Sequence, residues 1–125
     1  MKKYGYVAAL ILMIGCGQKE KTQKKPENLL DKDEITKILI DLHLAEAEVS
    51  ALNLKKDTSQ YLYQQYQHHI LNQHNTTDSI YYQSYDYYLA QPETFEKIYE
   101  TVVDTLSSRR RQYEQDERKS REEAQ

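Results

Sequence analysis

Residues 31–52 read DKDEITKILIDLHLAEAEVSAL, and their spacing decides the fold class. Ile35, Ile38, Leu39, Leu42, Ala45, Val49 and Leu52 recur at the three- and four-residue steps that place side chains on one face of an α-helix. Asp31 followed three positions later by Glu34 is a capping-box start signal. The same logic extends down the chain. A second helix beginning near Thr58 or Ser59 would carry Leu62, Tyr63, Tyr66, His69 and Ile70 on one side. Asn75-Thr76-Thr77-Asp78 supplies a break and a fresh cap. A third helix would bury Tyr81, Tyr82, Tyr85, Tyr88 and Leu89, and Gln91-Pro92 ends it, with Pro92 suited to the first turn of a fourth. That fourth helix would bury Phe95, Ile98, Tyr99, Val102, Val103 and Leu106. No alternating strand pattern competes, so residues 31–106 are expected to form an all-α bundle of about four helices with short connections.

Composition narrows the function classes. The chain has 125 residues, room for one small domain, and its three glycines are Gly5, Gly15 and Gly17. Phosphate-cradling loops need glycine where the backbone approaches the anion, so nucleotide-binding loops are excluded. A nucleophile elbow lacks the glycines that shape it. The single cysteine, Cys16, rules out an internal disulfide framework and a cysteine zinc cluster. No catalytic constellation emerges, and neither an enzyme activity nor a cofactor is expected.

The N-terminus carries the most specific signal. Met1-Lys2-Lys3 is basic, Tyr6 to Ile14 is apolar, and Gly15-Cys16 follows at once. The apolar run falls short of the ~20 residues of a permanent membrane span and has the order of a secretory signal. Met13-Ile14-Gly15-Cys16 resembles the lipobox of bacterial lipoproteins, in which the cysteine is acylated and becomes the mature N-terminus. Residues 1–15 are thus read as a cleaved signal peptide, and residues 16–30 as a lipidated cysteine and tether. Two or three acyl chains on Cys16 would hold the protein at a membrane, where one alone holds only marginally. Gly17 in place of an acidic residue leans to the outer membrane, with the domain facing the periplasm.

Charge is segregated. Residues 31–106 carry 5 Lys and Arg against 13 Asp and Glu. An acidic body of this kind is a poor nucleic-acid partner, because phosphate affinity comes from clustered basic side chains. Beyond Leu106 only Tyr113 continues the apolar stripe. Residues 107–125 are therefore read as a charged, solvated helical tail, supported by pairs such as Glu114–Arg118 and Glu117–Arg121.

Three stretches together suggest a family: Pro26-Glu27-Asn28-Leu29-Leu30, then Leu39-Ile40-Asp41-Leu42-His43-Leu44-Ala45-Glu46-Ala47, then Tyr87-Tyr88 with Pro92-Glu93, Ile98-Tyr99 and Val102. Over residues 26–106 the chain resembles a family of short bacterial lipoproteins, typical of Bacteroidota, classed as a domain of unknown function. The resemblance implies an all-helical domain and an envelope location, and no particular activity.

Among polar residues, Glu46 stands out because at 100° per residue it falls between Leu39 and Leu42. A carboxylate there is expected to be buried and so hydrogen-bonded, paired or protonated. His43 lies at the margin of the same face, and His69 is expected to point inward from the second helix. His43, Glu46 and His69 are read first as a buried polar network with tyrosine hydroxyls, and alternatively as a ligand or metal site. Ten tyrosines follow Cys16, five of them between positions 81 and 88. They suit a core whose hydroxyls stay hydrogen-bonded, with an aromatic groove as the functional alternative. Ile80, Tyr87 and Leu44 face away from the main stripes and are expected to leave apolar surface for a partner. The expected role is an accessory lipoprotein that binds another envelope protein through its helical surface. A small periplasmic chaperone-like module is the alternative, and a metal- or ligand-binding enzyme ranks last.

Overall fold

In the computed structural model the described residues are 23–124, so the signal segment and Cys16 lie outside them. Four helices follow one another: α1 (Lys32–Ala51), α2 (Lys56–Gln73), α3 (Asp78–Leu89) and α4 (Pro92–Glu123). No strand occurs among the described residues. The all-α bundle expected from the apolar spacing is the observed fold.

Helix α1 starts where its capping box directs. The Glu34 N–H donates to the Asp31 carboxylate at 2.8 Å, and the Asp31 N–H donates to the Glu34 carboxylate at 3.1 Å. It is the central element, packing against each of the other three helices, whereas the backbones of α2 and α4 stay apart. That position explains why burial on α1 is wider than one stripe. Thr36 and Ile40 are buried along with the expected Ile35, Ile38, Leu39, Leu42, Ala45 and Val49. Leu52, expected in the stripe, is the C-cap and is largely exposed, because the helix ends before its face can be covered. Leu44 and Tyr87 pack against the core and do not form the free apolar surface expected of them. Ile80 is half-buried.

The absence of glycine is met at the helix ends by asparagine. Among the described residues Asn53 and Asn75 have positive φ, at 49° and 54°, each directly after a C-cap residue. After α2 the full Schellman pairing forms, with the Thr76 N–H donating to the Leu71 carbonyl and the Asn75 N–H to the Asn72 carbonyl, both at 3.0 Å. Asparagine enters the left-handed region more readily than other residues with a Cβ. Asn75→Ala should therefore lose about 1 kcal/mol of stability, while Asn75→Gly should lose none or gain slightly. Denaturant midpoints of the two variants check this.

Helix α2 begins at Lys56, ahead of Thr58, and lacks a side-chain cap. Its buried residues are Ile70 and Leu71. In α3, Thr77 caps the Ile80 N–H, and the buried line runs Tyr81, Ser84, Tyr88. Tyr82 and Leu89, one step of 100° off that line, are each half exposed. In α4, Pro92 takes the first turn as expected, Ile98 and Val102 are buried, and Val103 is exposed.

The chain entering α1 is part of the fold. The Leu30 N–H donates to the Ser84 hydroxyl at 3.0 Å, and the Tyr88 hydroxyl donates to the Leu30 carbonyl at 2.8 Å. Both backbone groups of Leu30 are thus satisfied by α3, and Leu29 and Leu30 pack on the core. These two residues belong to the domain and not to the tether in which the sequence reading placed them. At the other end α4 continues unbroken, 32 residues or about 48 Å, with every described residue from Ser108 onward exposed. Removing residues 114–125 should accordingly lower the thermal midpoint by less than about 8 °C, the shift expected of 1 kcal/mol in a small domain. A calorimetric scan of the truncated chain checks it.

Candidate functional site

A cleft of about 250 Å³ opens where all four helices meet. Leu39 and Leu42 of α1 line it, with His43 and Glu46 beside them. Tyr63 and Gln67 enter from α2, Tyr81, Tyr82 and Tyr85 from α3, and Tyr99 from α4. Their helical spacing brings them there: 39, 42, 43 and 46 share one face of α1, as do 81 and 85 on α3.

The rings pack edge to face or tilted, the arrangements that aromatic quadrupoles favour. Tyr81 meets Tyr82 at 5.1 Å and Tyr85 at 6.1 Å between centroids, and Tyr99 meets His43 at 6.0 Å. Phe95 sits behind them, against Tyr85 at 5.5 Å and Tyr99 at 4.8 Å. Gln67 donates its amide N–H to the Tyr82 hydroxyl at 2.8 Å, tying α2 to α3 at the cleft.

Burial raises the pKa values of three of the cleft phenols. It is the largest cause lifting Tyr99, whose pKa is pushed up to about 12, followed by the neighbouring Tyr85 hydroxyl and then by the negative field of Glu46. Burial also raises Tyr81, strongly, with the surrounding tyrosines adding to it. Tyr63 is raised by burial and then by Glu46. At neutral pH the cleft therefore presents hydroxyl groups and aromatic faces, with Glu46 as its one carboxylate and no Lys or Arg in its lining.

Of the three residues expected to form a buried network, the structure joins two. The His43 Nδ1 lies 3.6 Å from a Glu46 carboxylate oxygen, one helical turn apart. The pair is not buried: the Glu46 side chain is 64% exposed and that of His43 is 37% exposed. Glu46, expected to be buried among the apolar residues of α1, instead borders the cleft beside Tyr63 and Tyr99 and stays open to solvent. His69 is exposed and lies apart from the pair. Buried Leu71 turns the inner face of α2 towards itself and Ile70, and His69 stands 200° from Leu71 around the helix. The ligand set of two histidines and a carboxylate is therefore not assembled. Among the described residues no group of three His, Cys, Asp or Glu side chains could hold a metal ion.

Two features went unread in the sequence. One is the convergence of Tyr63, Tyr85 and Tyr99, drawn from three helices, around Glu46. Their stripes were visible, but nothing in a single sequence says which stripes meet. The other is the contact of His74 Nε2 with the Asp41 carboxylate at 2.8 Å, which fixes the end of α2 to the middle of α1. Its only sequence signal is a histidine at a helix C-terminus, where such side chains often satisfy local carbonyls instead.

A wider groove of about 370 Å³ lies between α1 and α4 and is lined by Lys32, Lys37 and Lys97 with Asp33 and three threonines. The hydroxyls of Thr36 and Thr101 donate to the carbonyls one turn back, so they are already engaged. The tyrosine cleft is the better-built site.

Comparison with known proteins places the domain without assigning it an activity. No curated protein and no solved structure matches the chain. A family model, described as a domain of unknown function (DUF4296), matches residues 26–112. Its first residues include the Leu29-Leu30 segment pinned to α3, and its last lie just past the point where α4 leaves the core. The chain, by this match over most of its length, belongs to the DUF4296 family.

Proposed function

We propose that this protein is a lipid-anchored accessory protein of the bacterial cell envelope, a lipoprotein of Bacteroidota type, that binds another envelope protein through its helical surface. The observation that carries the reading is the order basic start, apolar run Tyr6 to Ile14, then Met13-Ile14-Gly15-Cys16. Acylation of Cys16 would place the protein on the outer membrane, facing the periplasm. Its folded body begins at Leu29 and Leu30, which pack on the core. From Cys16 to Leu30 the chain reaches at most ~50 Å, so the domain would work close to the bilayer. Among the described residues no helix is long and apolar enough to cross a membrane, so the lipid supplies the attachment in this reading. The tyrosine cleft gives the domain a defined surface to present, where a chaperone would need a broad apolar one.

Cys16→Ser tests the anchor. The variant should lose fatty-acid labelling entirely and move out of the membrane fraction, with its helical content unchanged. Labelling that persists in the variant would overturn the anchor. Capture from crosslinked envelopes tests the role: one stoichiometric partner supports the accessory protein, and many unfolded clients would support a chaperone instead.

A further inference from the structure

The chemistry of the tyrosine cleft selects its occupant. Aromatic faces carry negative quadrupole density and attract cations, more strongly where water is partly excluded. Tyr63, Tyr82, Tyr85 and Tyr99 line the cleft over the buried ring of Tyr81, and Glu46 is the only carboxylate in the lining. Among the described residues no Lys or Arg lines this acidic, aromatic space, and His43, 3.6 Å from Glu46, is the one lining side chain able to carry a positive charge. Lys56 lines the adjoining hollow together with Glu46, yet makes no ion pair with it among the described residues. The body around the cleft carries 13 acidic against 5 basic residues, a field that draws cations in and repels anions. Phenols are neutral at neutral pH, so the rings carry no charge and their hydroxyls can donate.

We propose that this cleft recognises a lysine side chain of a partner protein, with the ammonium held between the Glu46 carboxylate and the tyrosine rings and the four-carbon stem lying against Leu39 and Leu42. The volume of about 250 Å³ has room for that stem and head group. A protein source is favoured over a free amine by the adjoining hollow. It continues past Glu46 and Tyr63 for about 260 Å³, lined by Val49, Ser50, Ser59 and Gln60 among others. That space suits the main chain on either side of the lysine. The source of the lysine rests on the reading of the protein as one that binds another envelope protein.

The test uses residues 16–125 carrying Cys16→Ser, which retain every described residue, and follows tyrosine-ring and backbone resonances by NMR. The probe is the blocked tripeptide Ala-Lys-Ala. It should shift resonances of the cleft residues with millimolar affinity, and the norleucine analogue, equal in shape but uncharged, should not. Glu46→Gln should weaken binding about 5-fold, the range of an exposed ion pair, and Glu48→Gln should leave it unchanged. Glu46 is well exposed, so both variants should fold alike, and matching thermal midpoints verify it. Equal shifts from lysine and norleucine peptides, or no shift from either, would overturn the proposal. Butylammonium binding more tightly than the peptide would assign the site to a free amine and overturn the protein source. Binding of N-acetylglucosamine in place of the peptide would make it a glycan site and overturn it as well. A stoichiometric envelope partner captured from cells, alongside a cleft that ignores the lysine peptide, would discard this inference and leave the accessory role standing.

Discussion

Replacing Tyr81 by alanine should cost the domain about 3–5 kcal/mol, enough to unfold much of it at growth temperature. Tyr81 is 6% exposed and stands between Tyr82 and Tyr85 on the line of α3 that faces the core. Truncation removes a full ring from a closely packed setting and leaves a cavity that the short α3 can only partly close. Tyr82, the next residue, is 50% exposed. Tyr82→Ala gives up one hydrogen bond with Gln67 and part of a rim, and should cost about 1 kcal/mol or less. Denaturant midpoints of the two variants check the contrast. Equal losses at positions 81 and 82 would mean that α3 is rotated relative to the packing described.

The second large effect is on the alkaline side. Tyr81 and Tyr99 are raised, first by burial, and Tyr63 and Tyr88 are raised for the same leading reason. In the unfolded chain phenols ionise near pH 10. Above that the unfolded state holds fewer protons than the folded one, so stability falls as pH rises. The contribution of these tyrosines is complete below about pH 10 and is lost as pH climbs towards the folded value of about 12 for Tyr99. Thermal midpoints measured from pH 8 to 12 should be flat at first and then fall steeply, with helix loss and phenolate absorbance appearing together. Tyr81→Phe keeps the ring and removes the ionisable hydroxyl, so its alkaline midpoint should move to higher pH. A midpoint unchanged between about pH 10 and 12 would contradict the burial assigned to these rings.

How far the sequence could be read follows from what kind of information periodicity carries. The Asp31–Glu34 box, the Thr77 cap, Pro92 and the stripe of α1 are local, and local signals located the four helices. Where a face is covered is a matter of neighbours. The angle of Glu46 among Leu39 and Leu42 pointed to burial, yet its side chain is largely exposed, because the cleft it shares with Tyr63 and Tyr99 is open. Ile40 and Leu44 looked peripheral on an isolated helix and are buried or half-buried because α1 is packed on several sides. His69 is read inward by its three-residue step from Tyr66, and buried Ile70 and Leu71 show that the inner face of α2 is rotated past both of them. Ser84, fully buried, carried no signal at all: its role depends on Leu30, 54 positions away. Asn53 and Asn75 occupy left-handed positions where glycine is usual, and in a chain without glycine beyond position 17 only their place after each helix marks them.

The most direct measurement of the central claim is photo-crosslinking in cells from position 82, at the exposed rim of the cleft, in the otherwise native protein. One discrete adduct with an envelope protein is expected, weakened by Glu46→Gln and not reproduced from position 113 on the projecting tail. A smear of many adducts, or a single adduct formed equally well from position 113 and indifferent to Glu46, would contradict the account.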